Sequence, residues 1–311
     1  MSATYFLVRL LRVLVTVWAA ATLVFVALRM SGDPLAALLP ADLPQEIIDT
    51  YRVRLGLDRS LWGQYLSYMG ALVQGDFGYS FRTNGPALDL VMERLGATLI
   101  LTASALGVAI LVGVPAGLLA AVHRNRLPDR AVMSLAVFGF AMPNFFFGIL
   151  LILLFTLTLQ WLPSGGFAGP LHLIMPALTL GLASAGAYAR LTRSALLEVL
   201  AAPFMETVRA KGMPPGRRIF VHGLRAILVP LVTLLGFSIG ALIAGAIVTE
   251  TVFSWPGIGL LLVISVAERD LAVVQLIVIL SAATMATTNA LVDLALGWLD
   301  PRIGSARRSA G

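Results

Sequence analysis

The stretch Thr98–Val122 reads TLILTASALGVAILVGVPAGLLAAV, with no Asp, Glu, Lys, Arg or His in it. A helix needs about 20 apolar residues to cross the hydrocarbon core of a bilayer. This run supplies them without the polar–apolar alternation of a membrane β-strand. Backbone groups in lipid must be satisfied within the segment, so the run reads as a membrane-spanning helix. Five further stretches share its character: Leu10–Leu28, Ala131–Leu159, Leu171–Ala189, Ala226–Thr249 and Leu271–Trp298. The first is long, ends at Arg29 and lacks a convincing small-residue cleavage site, so it reads as an anchor rather than a signal peptide. Pro115 and Pro143 sit inside long apolar runs and predict kinks.

Composition supports the same class. Of 311 residues, 59% are hydrophobic and 12% charged, against roughly 25% charged in an ordinary soluble domain. A chain so apolar is not disordered, and it has too little polar surface to cover itself in water. The absence of cysteine removes disulfides, thiolate metal sites and cysteine nucleophiles.

Charge sets the expected orientation. One side of six spans collects Arg9 and Arg12, then Arg124, Arg126 and Arg130, then seven basic residues from Arg190 to Arg225, and finally Arg302, Arg307 and Arg308. The other side holds Arg29, Arg269 and five in Ser31–Ala97, a segment long enough to contribute little to topology. Both termini are therefore expected in the cytoplasm. The net charge of +6 is mostly this asymmetry rather than a nucleic-acid footprint. Residues 1–97 read as the first span plus an outer segment, 98–299 as a five-helix core with a cytoplasmic loop at 190–225, and 300–311 as a tail. In the outer segment, Leu61, Tyr65, Leu66, Met69 and Leu72 have helical spacing before a Gly-rich break, which predicts one or two amphipathic helices.

Several chemistries are missing from the sequence. Apart from Arg12 at the inner edge of the first span, only Asp293 lies within a span, where an interfacial cap or an ion pair with an inner arginine is its ordinary role, so an ion-coupled carrier is disfavoured. The sole lysine is Lys211, followed by Gly212, so the chain holds no P-loop. His123, His172 and His222 lie outside the span interiors, and no H-E-x-x-H motif occurs. The chain reads as a conduit without a motor, expected to bind no cofactor and to catalyse nothing itself.

Such a conduit has to receive force from elsewhere. The loop RLTRSALLEVLAAPFMETVRAKGMPPGRRIFVHGLR (Arg190–Arg225) contains a short helix with its own stop signals. Pro203 suits the first helical position; Glu206 in the first turn and Arg209 and Lys211 in the last complement the dipole. Gly212 supplies a left-handed cap, and Pro214 and Pro215 block continuation. Phe204 and Val208 share a face of this stub, which is too short to be stable without packing against something.

Glu206-Thr207-Val208-x-x-x-Gly212 is similar to the EAA loop of bacterial ABC-importer permeases. The surrounding LLEVLAAPFMETVRAKGMPPGRRIFVHGLRAILVPLVTLLG resembles the version in the dipeptide/oligopeptide/nickel permease family. FVALRMSGDP, LDRSLWGQYLSYMGALVQGDFGYSFRT, ETVFSWPGIGLLLVISVAERDLAVVQ and NALVDLALGWLDPR agree with that family in the same order. Thr207 and Val208 depart from the Ala-Ala of the general motif, and Pro230 stands later than the general family's Leu-Pro.

The resemblance implies an all-α, six-span type I ABC-importer permease of the bacterial inner membrane. It implies that Phe204, Met205, Glu206, Thr207, Val208, Arg209, Ala210 and Lys211 form a coupling helix against an ATPase subunit, with Gly212 setting the turn. Implied partners are a second homologous permease, two cytoplasmic ATPase subunits that bind ATP and Mg, an extracytoplasmic solute-binding protein and membrane lipid. Peptides, nickel chelates, glutathione and oligosaccharides all fit such a scaffold, and a stand-alone channel is the rival class. Gly181 and Ala185 in the fourth span, with Gly236, Gly240 and Ala244 in the fifth, form small-residue faces. They are candidates for a subunit interface or pathway wall. Phe253, Trp255, Pro256 and Gly257 are candidates for a plug over the outer entrance; the ordinary alternative places the two rings at the water–lipid boundary.

Overall fold

The computed structural model describes residues 3–30, 44–54, 56–80 and 82–299. Helix α1 covers Ala3–Met30, α2 Gln45–Arg54 and α3 Leu61–Val73. A two-residue hairpin follows, β1 (Tyr79–Ser80) against β2 (Gly85–Pro86), antiparallel. Then come α4 (Ala87–Val122), α5 (Leu127–Ala141) and α6 (Asn144–Leu151), the last prolonged by π-helical turns at Ile152–Thr158. Helix α7 covers Pro170–Ala201 and α8 Pro203–Ala210; α9 (Pro215–Arg217) runs through π-helical turns at Arg218–Gly223 into α10 (Leu224–Val252). Helices α11 (Ile258–Ala267) and α12 (Leu271–Leu299) complete the described chain.

Five of these helices are long and apolar enough to cross a membrane, and a sixth crossing is made if α5 and α6 count as one. The exterior is oily: Leu11, Leu23, Leu111 and Phe138 are each 60% exposed or more. In water that surface would be an aggregation patch; in lipid it is the solvated face. Pro143, which follows the last residues of α5, breaks the third expected span with a bend of 103°. Proline clashes with the preceding turn and biases the residue before it away from helix. Pro115, by contrast, sits inside a continuous α4.

Most expected spans are longer as helices than as apolar runs. Helix α4 starts at Ala87, eleven residues before Thr98; α7 continues to Ala201 past the arginines Arg190 and Arg193; α10 reaches Val252. Helix α7 is also the best packed. Its small-residue face lies against α4, where a Cβ added at Gly181 would stand 2.6 Å from Val108 Cβ, and one at Gly113 would stand 2.5 Å from the Ala185 carbonyl oxygen. Such approach distances admit only glycine, and they make α4 and α7 the most extensively packed helix pair.

Helix α1 packs along α12, where Arg9 pairs with the Asp293 carboxylate, so the start of one lies beside the end of the other. This is the ion-pair role expected of Asp293. Helix α3 sits against the far half of α1 through Tyr65, whose hydroxyl is 2.8 Å from Thr22 Oγ1, and through Tyr68, stacked 5.4 Å from Phe25. Burial, and secondarily the neighbouring Tyr65, push the Tyr68 phenol up to about 12.

Candidate functional site

Helix α7 has 32 residues and is therefore about 48 Å long. The two regions singled out in the sequence lie at its opposite ends.

At its C-terminal end, Ala202 is extended (ψ 146°), the chain turns, and α8 begins with Pro203 in its first turn. One side chain anchors α8: Met205 is fully buried. The Arg209 guanidinium reaches back to donate to the Leu200 carbonyl at 3.0 Å. At the other end of α8, Gly212 has φ +72° and its N–H donates to the Arg209 carbonyl at 2.9 Å, the left-handed stop expected of it. Most of the remaining side chains of α8 face outward. Phe204 is 48% exposed; Glu206, Thr207, Arg209, Ala210, Lys211 and Gly212 are exposed, and Val208 is half-buried. Met205 is the correction to the coupling set, because a fully buried side chain holds the helix down and offers nothing to a partner.

At the N-terminal end of α7 the structure departs further from expectation. Phe253 and Trp255 are each 1% exposed, so they are interior residues and do not sit at a water–lipid boundary. The Trp255 indole N–H donates to the Ala97 carbonyl at 2.9 Å, and its ring meets Phe167 edge to face at 4.7 Å. The Gly166 N–H donates to the Phe253 carbonyl at 2.9 Å. A Cβ on Gly165 would lie 2.1 Å from that same oxygen. Pro256 is half-buried and Gly257 buried within the same turn. These four residues form a packed knot joining α4, α10, α11 and the connection into α7.

Glu250 lies at the centre of the knot and is fully buried. Its Oε1 accepts the Thr98 hydroxyl at 2.7 Å and its Oε2 accepts the Leu260 N–H at 2.9 Å, while Thr98 Oγ1 accepts the Ile258 N–H at 2.8 Å. Helix α11 has no side-chain cap of its own. Its orphan N–H groups are satisfied by residues of two other helices, and a carboxylate suits the positive end of the helix dipole. A Cβ at Gly257 would stand 2.2 Å from Glu250 Oε1, so only glycine lets the turn close over the carboxylate. The sequence reading ended its fifth span at Thr249 and so missed Glu250. The signal was present: a lone acid next to an apolar run and before a Pro-Gly turn needs partners if the helix continues through it.

A second buried acid, Asp129 at the start of α5, receives two hydrogen bonds from Arg193 of α7, at 2.5 and 2.7 Å, and one from the Asn125 N–H at 2.8 Å. The two-pronged geometry is that of a bidentate guanidinium–carboxylate pair, and it fixes α5 to the half of α7 nearest α8.

Four of the small residues singled out in the sequence meet other helices of the same chain. Gly181 and Ala185 meet α4, and Gly236 meets Val292 and Gly240 meets Met285 of α12. These contacts are made within the chain; the side chain of Ala244 lies outside the described residues. Among the described residues no cluster of His, Asp and Glu could hold a metal ion.

An apolar helical bundle with a broken span and an exposed stub between two long helices has the build of an integral membrane component. Residues 113–305 match the family described as "Binding-protein-dependent transport system inner membrane component". The chain is 40% identical over 300 residues to the glutathione transport system permease protein GsiC of Escherichia coli (strain K12), covering 96% of this chain and 98% of the relative. The protein of the same name from Shigella dysenteriae serotype 1 matches with the same figures. Among solved structures, an inward-facing conformation of the MetNI methionine ABC transporter matches with TM-score 0.54 at 21% identity, over 67% of this chain and 97% of that one. The chain belongs to the binding-protein-dependent ABC-importer permeases of the inner membrane.

Proposed function

We propose that this permease imports short peptides or related small solutes, and that its motion is driven by ATP hydrolysis on partner subunits through α8. The observation that carries the proposal is the geometry of α8: a short helix held from below by Met205 and by Arg209, with Phe204, Glu206, Thr207 and Lys211 presented outward. A stub of this length does not stabilise itself, and its free face is a docking knob for an ATPase subunit. The arginine distribution supports placing α8 and both chain ends in the cytoplasm. The resemblance to a glutathione permease supports a peptide-like solute. A second permease subunit, two ATPase subunits and an extracytoplasmic binding protein complete the proposed assembly.

Co-purification tests the proposal. An ATPase subunit is expected to be recovered with the wild type and lost with Glu206→Arg or Gly212→Pro. Full transport by this polypeptide alone in liposomes, without nucleotide, would show a facilitator instead.

A further inference from the structure

A groove of about 350 Å³ opens between α5, α6, α7 and α10, a size within the roughly 300–1,000 Å³ of small-molecule sites. Asn144 at the start of α6, Ser184 on α7 and Ser238 on α10 line it. Phe140 and Phe237 wall it with rings that are 69% and 63% exposed. Asn144 and Ser184 are half-buried and Ser238 is buried, so the groove is a mainly apolar cleft with a few hydrogen-bonding side chains in its wall, the usual make-up of a small-molecule site. No carboxylate lines the groove.

Its end is cationic. Ala183 and Ala187 form part of the α7 wall, and Arg190 continues the same helix face at spacings of four and three. The Arg190 guanidinium stands over the Phe140 ring, 5.2 Å from its centroid, so the aromatic wall holds the charge at the groove's edge. From Ser184 to Arg190 the helix rises about 9 Å. Two or three extended peptide residues span roughly 7–10 Å.

The geometry points to a solute-selecting site in this subunit for a short peptide-like solute with a free carboxylate. Asn and Ser side chains both donate and accept, matching the N–H and C=O groups of a peptide. Arg190 meets the carboxylate through charge-assisted hydrogen bonds. The inference rests on the peptide-importer reading and deepens it, because selection then belongs to the permease as well as to its binding protein.

The test uses the complete transporter in proteoliposomes with its binding protein, comparing ATP-dependent uptake of trialanine and of trialanine amide. Taking the ratio of variant to wild type removes the binding protein's own preference. Arg190→Gln is expected to lower trialanine uptake roughly tenfold or more, about the loss of one charge-assisted hydrogen bond, to spare the amide, and to leave binding-protein-stimulated ATPase activity in place. Equal loss for acid and amide, or no loss, overturns the site. Should Arg190→Gln fail to assemble, Ser184→Asp, which puts an anion into the groove, is expected to reverse the acid-over-amide preference, and an unreversed preference overturns the site. Wild-type transporter that takes up neither probe overturns the peptide-importer reading itself, which is a different outcome from a variant without effect.

Discussion

The two ends of α7 are held in opposite ways. At one end, Trp255, Phe253, Glu250 and Thr98 lock four segments together through buried hydrogen bonds and glycine-only approaches. At the other, α8 hangs from a single buried methionine and one guanidinium–carbonyl bond. A buried polar group costs free energy unless it is paired, so the knot is an all-or-nothing assembly that resists local opening. An exposed stub with one apolar anchor resists little and presents much. The contrast separates a tightly packed end from an exposed one, with a well-packed α4–α7 rod between them.

The strongest way to break the comparison is Trp255→Ala. Truncating a fully buried tryptophan costs on the order of 3–5 kcal/mol, so loss of monodisperse protein in detergent is expected. A variant that assembles normally and changes only transport would restore a mobile plug. Next comes the link between the ends. Arg193→Ala leaves Asp129 buried and unpaired, at a cost of about 3–5 kcal/mol. Thermal unfolding is expected to show this loss and to recover part of it in Asp129→Ala/Arg193→Ala, where no charge is left stranded; equal loss in the double variant would mean the pair does not brace α5 to α7.

Smaller effects sharpen the contrast. Thr98→Val removes a donor to Glu250 and an acceptor for Ile258, at about 1–3 kcal/mol, read as a lowered melting temperature. If the knot were loose, water would replace the hydroxyl and the temperature would not move. The smallest effect belongs to α8: Glu206→Arg is expected to change stability by no more than about 0.5 kcal/mol, as for an exposed site without structural partners. A large shift there would mean that α8 is part of the core.

How legible these features were depends on where their causes lie. Pro203, Gly212, Pro214 and Pro215 fix the bounds of α8 by local stereochemistry, so the stub and its left-handed stop could be read residue by residue. The inward turn of Met205 could not, because it depends on which face of an eight-residue helix meets the bundle. Gly181 and Ala185 signalled close helix approach correctly, yet spacing says nothing about which helix approaches, and α4 proved to be the partner. Phe253 and Trp255 lie next to a span end, where aromatics commonly favour the interface. Burial here was decided by the Ala97 carbonyl, 158 residues away from Trp255.

The sequence by itself determined an oily helical bundle, the break at Pro143 and a stopped stub in a basic loop, because hydrophobic run length, proline and glycine act within a few residues. Tertiary structure alone decided that Glu250 caps a helix it is not part of, that Asp129 finds Arg193, and that Gly181 of α7 lies against α4. Those outcomes depend on pairings between distant helices, where a buried polar group or a bare glycine has no preferred partner until the bundle has closed around it.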